Sequence, residues 1–335
     1  MSKISSSDLK VPIKRILYTL STTHLFDQNT EFKILIAISG GQDSTCLASF
    51  ILICQKLMNK KKRIQVGLIH CQHLWGMASL EMANQIDSWV YQMKKLNIDV
   101  VLYSALPIYA VPSESASRSW RIKLFNRIAK IYNYNLVLTG HTLNDQIETF
   151  LSYQIIRGFY NPLRQKVLTP TEKFKPFFWI TRHEVWLICS FWHFPVFADS
   201  SNKSLLFTRS RLRLELIPIL KAFYNPQVEN SLFQNILVHN EKTDFLKSFS
   251  SNISLFSKDQ KVLLNRFELL KLPRWVQREI WLESFQRLGV YHIGFYWIEK
   301  CLLYSKLSKN FHFRGGIVLK SFSDWLILSK NQNQL

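Results

Sequence analysis

Residues 39–44 read Ser-Gly-Gly-Gln-Asp-Ser and follow directly on the apolar run Ile34-Leu35-Ile36-Ala37-Ile38. A buried strand that ends in a glycine turn and opens a helix at Ser44 gathers backbone N–H groups and a helix N-terminus around one point, which suits an anion. Glycines let the main chain approach closely, and Ser39 and Ser44 add hydroxyl donors. The anion such a cradle fits is a pyrophosphate. The chain has no Gly-x-x-x-x-Gly-Lys-Ser/Thr loop, so this is not the Walker A arrangement. Without that lysine, the loop is better suited to hold β- and γ-phosphates while chemistry occurs at the α-phosphate.

A second group of chemistry-bearing residues follows another apolar run, Leu136–Thr139. His141 comes just after it, and Asp145 and Glu148 stand three apart, on one face of the helix that follows. Near a helix N-terminus the two carboxylates either complement the macrodipole or hold Mg²⁺ against phosphates. Asp43, inside the glycine loop, makes sense beside phosphates through a metal or through N–H bonds that shape the turn. Arg118 and Arg121 share a helix face and are placed to meet a phosphate or an RNA backbone. Arg209, Arg211 and Arg213 alternate and need not share a face; a solvated basic segment and contact with RNA phosphates are both open.

These residues need a frame. Strand-like runs fall at 34–38, 64–69, 100–104 and 136–139, with helical patterns between them at 45–58, 78–96 and 114–131. Strands alternating with amphipathic helices predict βαβ units, hence an α/β doubly wound parallel sheet that binds ligands beyond its strand C-termini. The Ser39 loop, His70 to His73, and Gly140-His141 all follow strand ends. Residues 158–180 read as a loop-rich connector, and a boundary is expected between about 205 and 225. Residues 216–335 are expected to form a smaller, mostly helical domain, with helices from Pro273 to Gly289 (Trp275, Leu282 and Phe285 on its apolar face) and from Phe295 to Leu307. A hairpin, Phe311–Phe313 and Ile317–Leu319 about a turn at Arg314-Gly315-Gly316, closes it.

The 335 residues carry a net charge of +20, which points to a polyanionic partner, most often nucleic acid. No apolar run reaches the ~18–20 residues that cross a bilayer, so no membrane partner is expected. Cys46, Cys54, Cys71, Cys189 and Cys301 form no Cys-x-x-Cys pair, which argues against a zinc ribbon or an iron–sulfur site and for a reducing compartment. Neither a secretory nor a transit leader is expected. Lys, Asn, Ile, Phe and Tyr abound, as in an AT-biased genome such as that of a plastid or a reduced bacterium.

The Ser-Gly-Gly-x-Asp-Ser string resembles the pyrophosphate loop of ATP pyrophosphatases, which adenylate a carbonyl-like oxygen. Four further elements, in order over roughly residues 30–225, narrow the resemblance. His73 matches a histidine after the second strand. Glu114-x-x-x-Arg118-x-x-Arg121 is similar to the Glu-x-x-Ala-Arg-x-x-Arg element of tRNA(Ile)-lysidine synthases. Residues 139–149 resemble that family's Thr-x-His-x-x-x-Asp-Gln-x-Glu-Thr stretch. Asp199-Ser200-Ser201-Asn202 with Arg209 and Arg213 resembles its Asp-x-Ser-Asn followed by Arg-x-x-x-Arg. Departures are Thr142 for a second histidine, Asn144 for an aspartate, Ser117 for alanine and Ile122 for tyrosine. Leu74-Trp75 stands for Gly-Leu-Arg, and the His-Leu-Trp variant resembles organelle-encoded members.

The resemblance implies a Rossmann-like fold of the ATP-pyrophosphatase type over residues 1–215 and a tRNA-binding domain over 216–335. It implies ATP and Mg²⁺ as cofactors, with L-lysine and tRNA(Ile) bearing a CAU anticodon as partners and no protein partner evident. Lysine would be ligated to C2 of the wobble cytidine through an adenylated base, changing codon reading from AUG to AUA. ATP would be bound by Ser39, Gly40, Gly41, Gln42, Asp43 and Ser44. Catalysis would fall to Asp43, His141, Asp145 and Glu148, with Mg²⁺ on Asp43 and Asp145. RNA or phosphate contacts would come from Arg118, Arg121, Arg209, Arg211 and Arg213, and His73, Glu114, Asp199 and Asn202 complete the matched set. Two other classes share these signals: a tRNA 2-thiolation enzyme with the same loop, and a non-catalytic RNA-binding relative. The expected setting is the plastid stroma; a bacterial cytoplasm is the alternative.

Overall fold

A computed structural model of the chain describes residues 5–22, 32–58, 64–72, 77–107, 114–156, 172–197, 208–257, 261–290, 293–307, 309–313 and 316–330. The chain forms two compact units: residues 1–149 with 165–233, and residues 150–164 with 234–335.

The first unit is the expected doubly wound sheet. Helix α1 (Ser6–Ser21) precedes β1 (Phe32–Ile38), α2 (Gln42–Met58), β2 (Ile64–Cys71), α3 (Met77–Lys95), β3 (Val100–Ala105), α4 (Glu114–Ile131), β4 (Leu136–Thr139) and α5 (Leu143–Leu151). There follow β5 (Glu172–Phe174), α6 (Arg182–Trp192), α7 (Thr208–Arg211) and α8 (Ile217–Phe223), the last two joined by a π-helical turn over 212–216. The strands are all parallel in the order β3-β2-β1-β4-β5. The register pairs Ile34–Ala37 with Leu136–Thr139 on one side and with Val66–Ile69 on the other. Chain direction across the sheet therefore reverses between β1 and β4, and a crevice opens at their carboxyl ends.

Side-chain alternation explains the layers. Ile34, Ile36 and Ile38 pack with residues of α1, α2, α3 and α6, whereas Leu35 packs with Phe125 and Ala129 of α4. A strand stretch buried on both faces must be apolar, as β1 is from Ile34 to Ile38. Strand β5 falls within the stretch expected to be connector; three residues are too few to display a period. Helix α2 starts at Gln42, two residues earlier than expected, because Thr45 N–H and the Thr45 hydroxyl both donate to Gly41 O (3.1 and 3.0 Å). Its first turn thus closes inside the glycine loop.

The second unit contains more sheet than expected. Helix α9 (Val228–Ile253) is followed by β6 (Ser254–Ser257), β7 (Lys261–Asn265), α10 (Arg266–Lys271), α11 (Arg274–Arg287), α12 (Phe295–Leu307), β8 (Phe311–Phe313), β9 (Ile317–Ser321) and β10 (Trp325–Lys330). The two expected hairpin strands pair, with Phe313 opposite Ile317, while Arg314 and Gly315 of the expected turn lie outside the described residues. This pair is one edge of a five-stranded antiparallel sheet, β6-β7-β10-β9-β8. Alternate residues Val262 and Leu264, Ile317 and Leu319, and Leu326 and Leu328 pack against Ile280, Trp281 and Phe285 of α11 and Ile298 and Cys301 of α12. Strands of three to six residues, each with two to four apolar positions, give a weak period that pairing alone makes firm. Gly289 ends α11 at φ +79°, as a stop residue should. Trp275 is not on the buried face: it is 52% exposed, in the first turn, beside the stripe through Val276, Ile280 and Ser284.

One glycine fixes how β4 meets α2. A Cβ on Gly140 would stand 2.8 Å from Asp43 O and 2.9 Å from Ser44 Cα. These are main-chain atoms that cannot swing aside. Gly140→Ala is expected to lower the unfolding free energy by about 1–3 kcal/mol, measured by denaturant titration.

Candidate active site

The loop between β1 and α2 is held by its own hydroxyls. Ser44 Oγ accepts from Ser39 N–H (3.1 Å), contacts Ser39 Oγ (3.0 Å) and donates to Gly41 O (3.0 Å). Gly40 takes φ +84°, a conformation that disfavours a side chain. Its carbonyl accepts from Phe197 N–H (3.1 Å).

Across the crevice, β4 runs through Gly140 into α5. Thr142 caps that helix, and Asp145, at its third position, reaches back: Asp145 Oδ2 accepts from Thr142 N–H (2.7 Å) and from the Thr142 hydroxyl (3.1 Å). The departure at position 142 thus supplies a cap that orients Asp145.

The remaining carboxylate oxygens face three arginines. Arg182 donates to Asp43 Oδ2 (3.3 Å), Asp145 Oδ1 (3.2 Å) and Glu148 Oε1 (3.2 Å). Arg209 donates to Glu148 Oε2 (2.8 Å) and Asp145 Oδ1 (3.2 Å), and Arg213 to Glu148 Oε1 (2.7 Å) and Oε2 (3.0 Å). Three guanidiniums meet three carboxylates. Arg209 and Arg213, four apart, share a face turned onto this cluster, while Arg211 is exposed. Each oxygen of Asp145 and of Glu148 accepts from at least two donors. Asp43 Oδ1, in contrast, is buried and has no hydrogen-bond partner.

The charges respond to these surroundings. Burial pushes Asp43 up to about 6, against the pull of Arg182. Burial also works to raise Asp145, but Arg209, His141, Arg182 and the Thr142 N–H outweigh it and hold the group at about 2. Glu148 is likewise held below the ordinary range despite burial, by Arg213, Arg209 and Arg182. His141 contacts Thr139 Oγ1 through Nδ1 (2.9 Å). Burial drives it down to about 3 against the pull of Asp145, with Lys175, Arg118 and Arg209 adding to the depression, so the imidazole is neutral. Lys175, bonded to Gln146 Oε1 at 3.5 Å, is lowered to about 8 by burial and by Arg118. A cavity of about 380 Å³ opens between the loop and the cluster, and Arg121, His141, Arg182 and Arg213 help to line it. Among the described residues no three His, Cys, Asp or Glu side chains are grouped to hold a metal ion by themselves.

The expected residues Ser39 to Ser44, Arg121, His141, Asp145, Glu148, Arg209 and Arg213 therefore belong to one site, and Arg118 bears electrostatically on His141. His73, Asp199 and Asn202 lie outside the described residues, as does the side chain of Glu114. The sequence reading missed Arg182 and Lys175. For Arg182 the available signal was Thr181-x-x-Glu184, a capping box that starts α6 and puts Arg182 in its first position.

The PP-loop domain family matches residues 16–220. The tRNA(Ile)-lysidine synthase of Thermosynechococcus vestitus is 31% identical over 254 residues, which are 74% of this chain and 71% of that protein. The chain belongs to the tRNA(Ile)-lysidine synthase family. The chloroplastic tRNA(Ile)-lysidine synthase of Zygnema circumcarinatum is 25% identical and covers 89% of this chain and 81% of its own length. Among solved structures, the U34-tRNA thiolase NcsA from Methanococcus maripaludis shares the fold, with a TM-score of 0.53 and 18% identity over 68% of this chain and 78% of its own. The family's PP-loop domain is an ATP-binding one, and its matched residues include the cradle at 39–44. No helix among the described residues is long and apolar enough to cross a membrane.

Two outcomes test this electrostatic arrangement. Glu148 has a side chain 1% exposed against three arginines. Removing it strands buried cations, so Glu148→Ala should lose about 3–5 kcal/mol of stability in a denaturant titration, and Glu148→Gln less. For Asp43, the folded pKa of about 6 lies above the usual 3.8. The folded chain thus keeps a proton there that the unfolded chain loses, and this contribution to stability falls as pH rises from about 4 to 6. Asp43→Asn should gain on the parent chain by roughly 2–3 kcal/mol across that window and hold a constant difference above it.

Proposed function

We propose that the protein uses ATP to ligate L-lysine to C2 of the wobble cytidine of a CAU-anticodon tRNA(Ile), giving lysidine and a codon reading of AUA in place of AUG. The observation that carries this reading is the glycine loop at the β1–β4 switch point, facing a cavity lined by Arg182 and Arg213. The loop N–H groups and the Ser39 and Ser44 hydroxyls suit the β- and γ-phosphates, and the guanidiniums suit charge that builds on the α-phosphate. The cytidine C2 oxygen attacks that phosphorus, pyrophosphate leaves, and an adenylated base remains. The lysine ε-amine then attacks C2 and expels AMP.

The protein's work is positioning and charge stabilisation. His141, neutral with a pKa near 3, serves as a hydrogen-bond partner and is a poor proton acceptor. Asp145 and Glu148 hold the three arginines in place. Mg²⁺ fits at Asp43, whose Oδ1 is unpartnered, and fits poorly at Asp145, whose oxygens are taken. Bound there with the nucleotide phosphates, it would neutralise the leaving pyrophosphate.

A wobble base in a single-stranded loop is open to capture by splaying out of its stack. The excess of +20 charges, exposed Arg211 among them, suits the tRNA backbone, and we assign the residues from 216 onward to grip its body. The plastid stroma is the setting that the AT-biased composition and the chloroplastic relative favour.

Asp43→Ala and Ser44→Ala should each slow tRNA-dependent pyrophosphate release by about a hundredfold or more while tRNA binding stays near that of the parent chain. Near-normal release by both variants would end the assignment. Mass spectrometry of the nucleoside made on tRNA(Ile) transcripts decides the second substrate. Cytidine plus lysine minus water is expected, and exchange of oxygen for sulfur would overturn the reading.

A further inference from the structure

Arg182 reaches all three carboxylates of the site, and its main chain is pinned on both sides. Its N–H donates to Asn144 Oδ1 (2.8 Å), and its carbonyl accepts from Gln42 Nε2 (3.3 Å). As the first residue of α6, it has an N–H with no partner inside its own helix. Asn144 supplies that partner from α5, one residue before Asp145. The other end of the same amide faces a carboxylate: Asn144 Nδ2 donates to Glu229 Oε1 (2.6 Å), and Glu229 also pairs with Lys221 (2.6 Å). Only one orientation of the amide satisfies both neighbours, because a flip would set N–H against N–H and oxygen against carboxylate.

We propose that Asn144 is the positioning residue that seats Arg182 over the cavity, and that Glu229 is what requires an amide at this place. The proposal rests on the reading of Arg182 as a phosphate-facing group. An aspartate at position 144 could still accept the Arg182 N–H, and would do so well at a helix N-terminus. It would, however, set a carboxylate against Glu229 at hydrogen-bond distance. Relief comes either by moving α5 from the start of α9, which unseats Arg182, or by sharing a proton. The amide removes that conflict.

The test uses the full chain with Asn144→Asp, Asn144→Ala, Glu229→Gln, and each position-144 change combined with Glu229→Gln. Asn144→Asp is expected to slow ATP-dependent pyrophosphate release by roughly tenfold to a hundredfold. Adding Glu229→Gln should return it to near the parent rate, since an amide at 229 donates to the new carboxylate. Asn144→Ala should show a similar deficit that Glu229→Gln does not rescue.

Hydrogen exchange of the peptide spanning Arg182 reads the positioning without reference to the reaction. It should quicken in Asn144→Ala and in Asn144→Asp, and slow again only in Asn144→Asp with Glu229→Gln. Unchanged exchange in both single variants, or no rescue in a double variant that melts like the parent chain, would overturn the proposal. If exchange follows this pattern while pyrophosphate release stays at the parent rate throughout, the positioning holds and the phosphate-facing role of Arg182 falls.

Discussion

The site depends on one electrostatic closure: three guanidiniums and three carboxylates meeting where β1 and β4 diverge. Each charge is largely withdrawn from water, and an uncompensated one there costs several kcal/mol. The partners come from separated stretches of chain. Asp43 lies in α2, Asp145 and Glu148 in α5, Arg182 in α6, Arg209 in α7, and Arg213 in the turn after it. No two segments satisfy the cluster alone, so their mutual approach and the neutrality of the cluster are a single condition. An arginine has five donors, and the fork geometry lets one side chain serve several acceptors at once. Arg182 spreads its three nitrogens over the cluster, one to each carboxylate.

Around this closure the main chain does what side chains could not. The glycine loop gains its curvature from the positive φ of Gly40 and its rigidity from the Ser39–Ser44–Gly41 bonds. Gly140 lets the end of β4 lie against the backbone of Asp43 and Ser44. The two ends of the crevice are thus set by backbone contact, and the charged groups are set by helix starts. Asp145 is fixed by the Thr142 cap, and Arg182 by the Thr181–Glu184 capping box. Helix N-termini also carry partial positive charge. Two of them, those of α2 and α5, open at this crevice, which adds to its preference for anions. The same surroundings divide the titratable groups: Asp145 and Glu148 stay ionised by pairing, Asp43 is raised by burial, and His141 is kept neutral.

The second unit is built on a different principle. Its five strands pair antiparallel, and one face is covered by α11 and α12, so each strand contributes alternate residues to the core. Such a sheet needs no βαβ crossovers and can be assembled from short strands joined by turns and helices.

The sequence by itself determined the frame and the chemistry of the loop. Mostly apolar strands, amphipathic helices between them, and glycines after the first strand are local properties, and local physics is enough to read them. The placement of Ser39–Ser44, His141, Asp145 and Glu148 after strand ends followed from that alternation. Tertiary structure decided what the arginines do. Nothing in the spacing of Arg209, Arg211 and Arg213 says that the first and third turn inward while the second stays exposed. That choice is made by carboxylates some sixty residues earlier in the chain. Arg182 carried only the signal of a helix start, and its role comes from contacts with segments 34 to 139 residues away. The strands β6, β7 and β10 were hidden for a related reason. A short strand owes its stability to its neighbours across the sheet, and pairing partners distant in sequence leave no periodic mark on the strand itself.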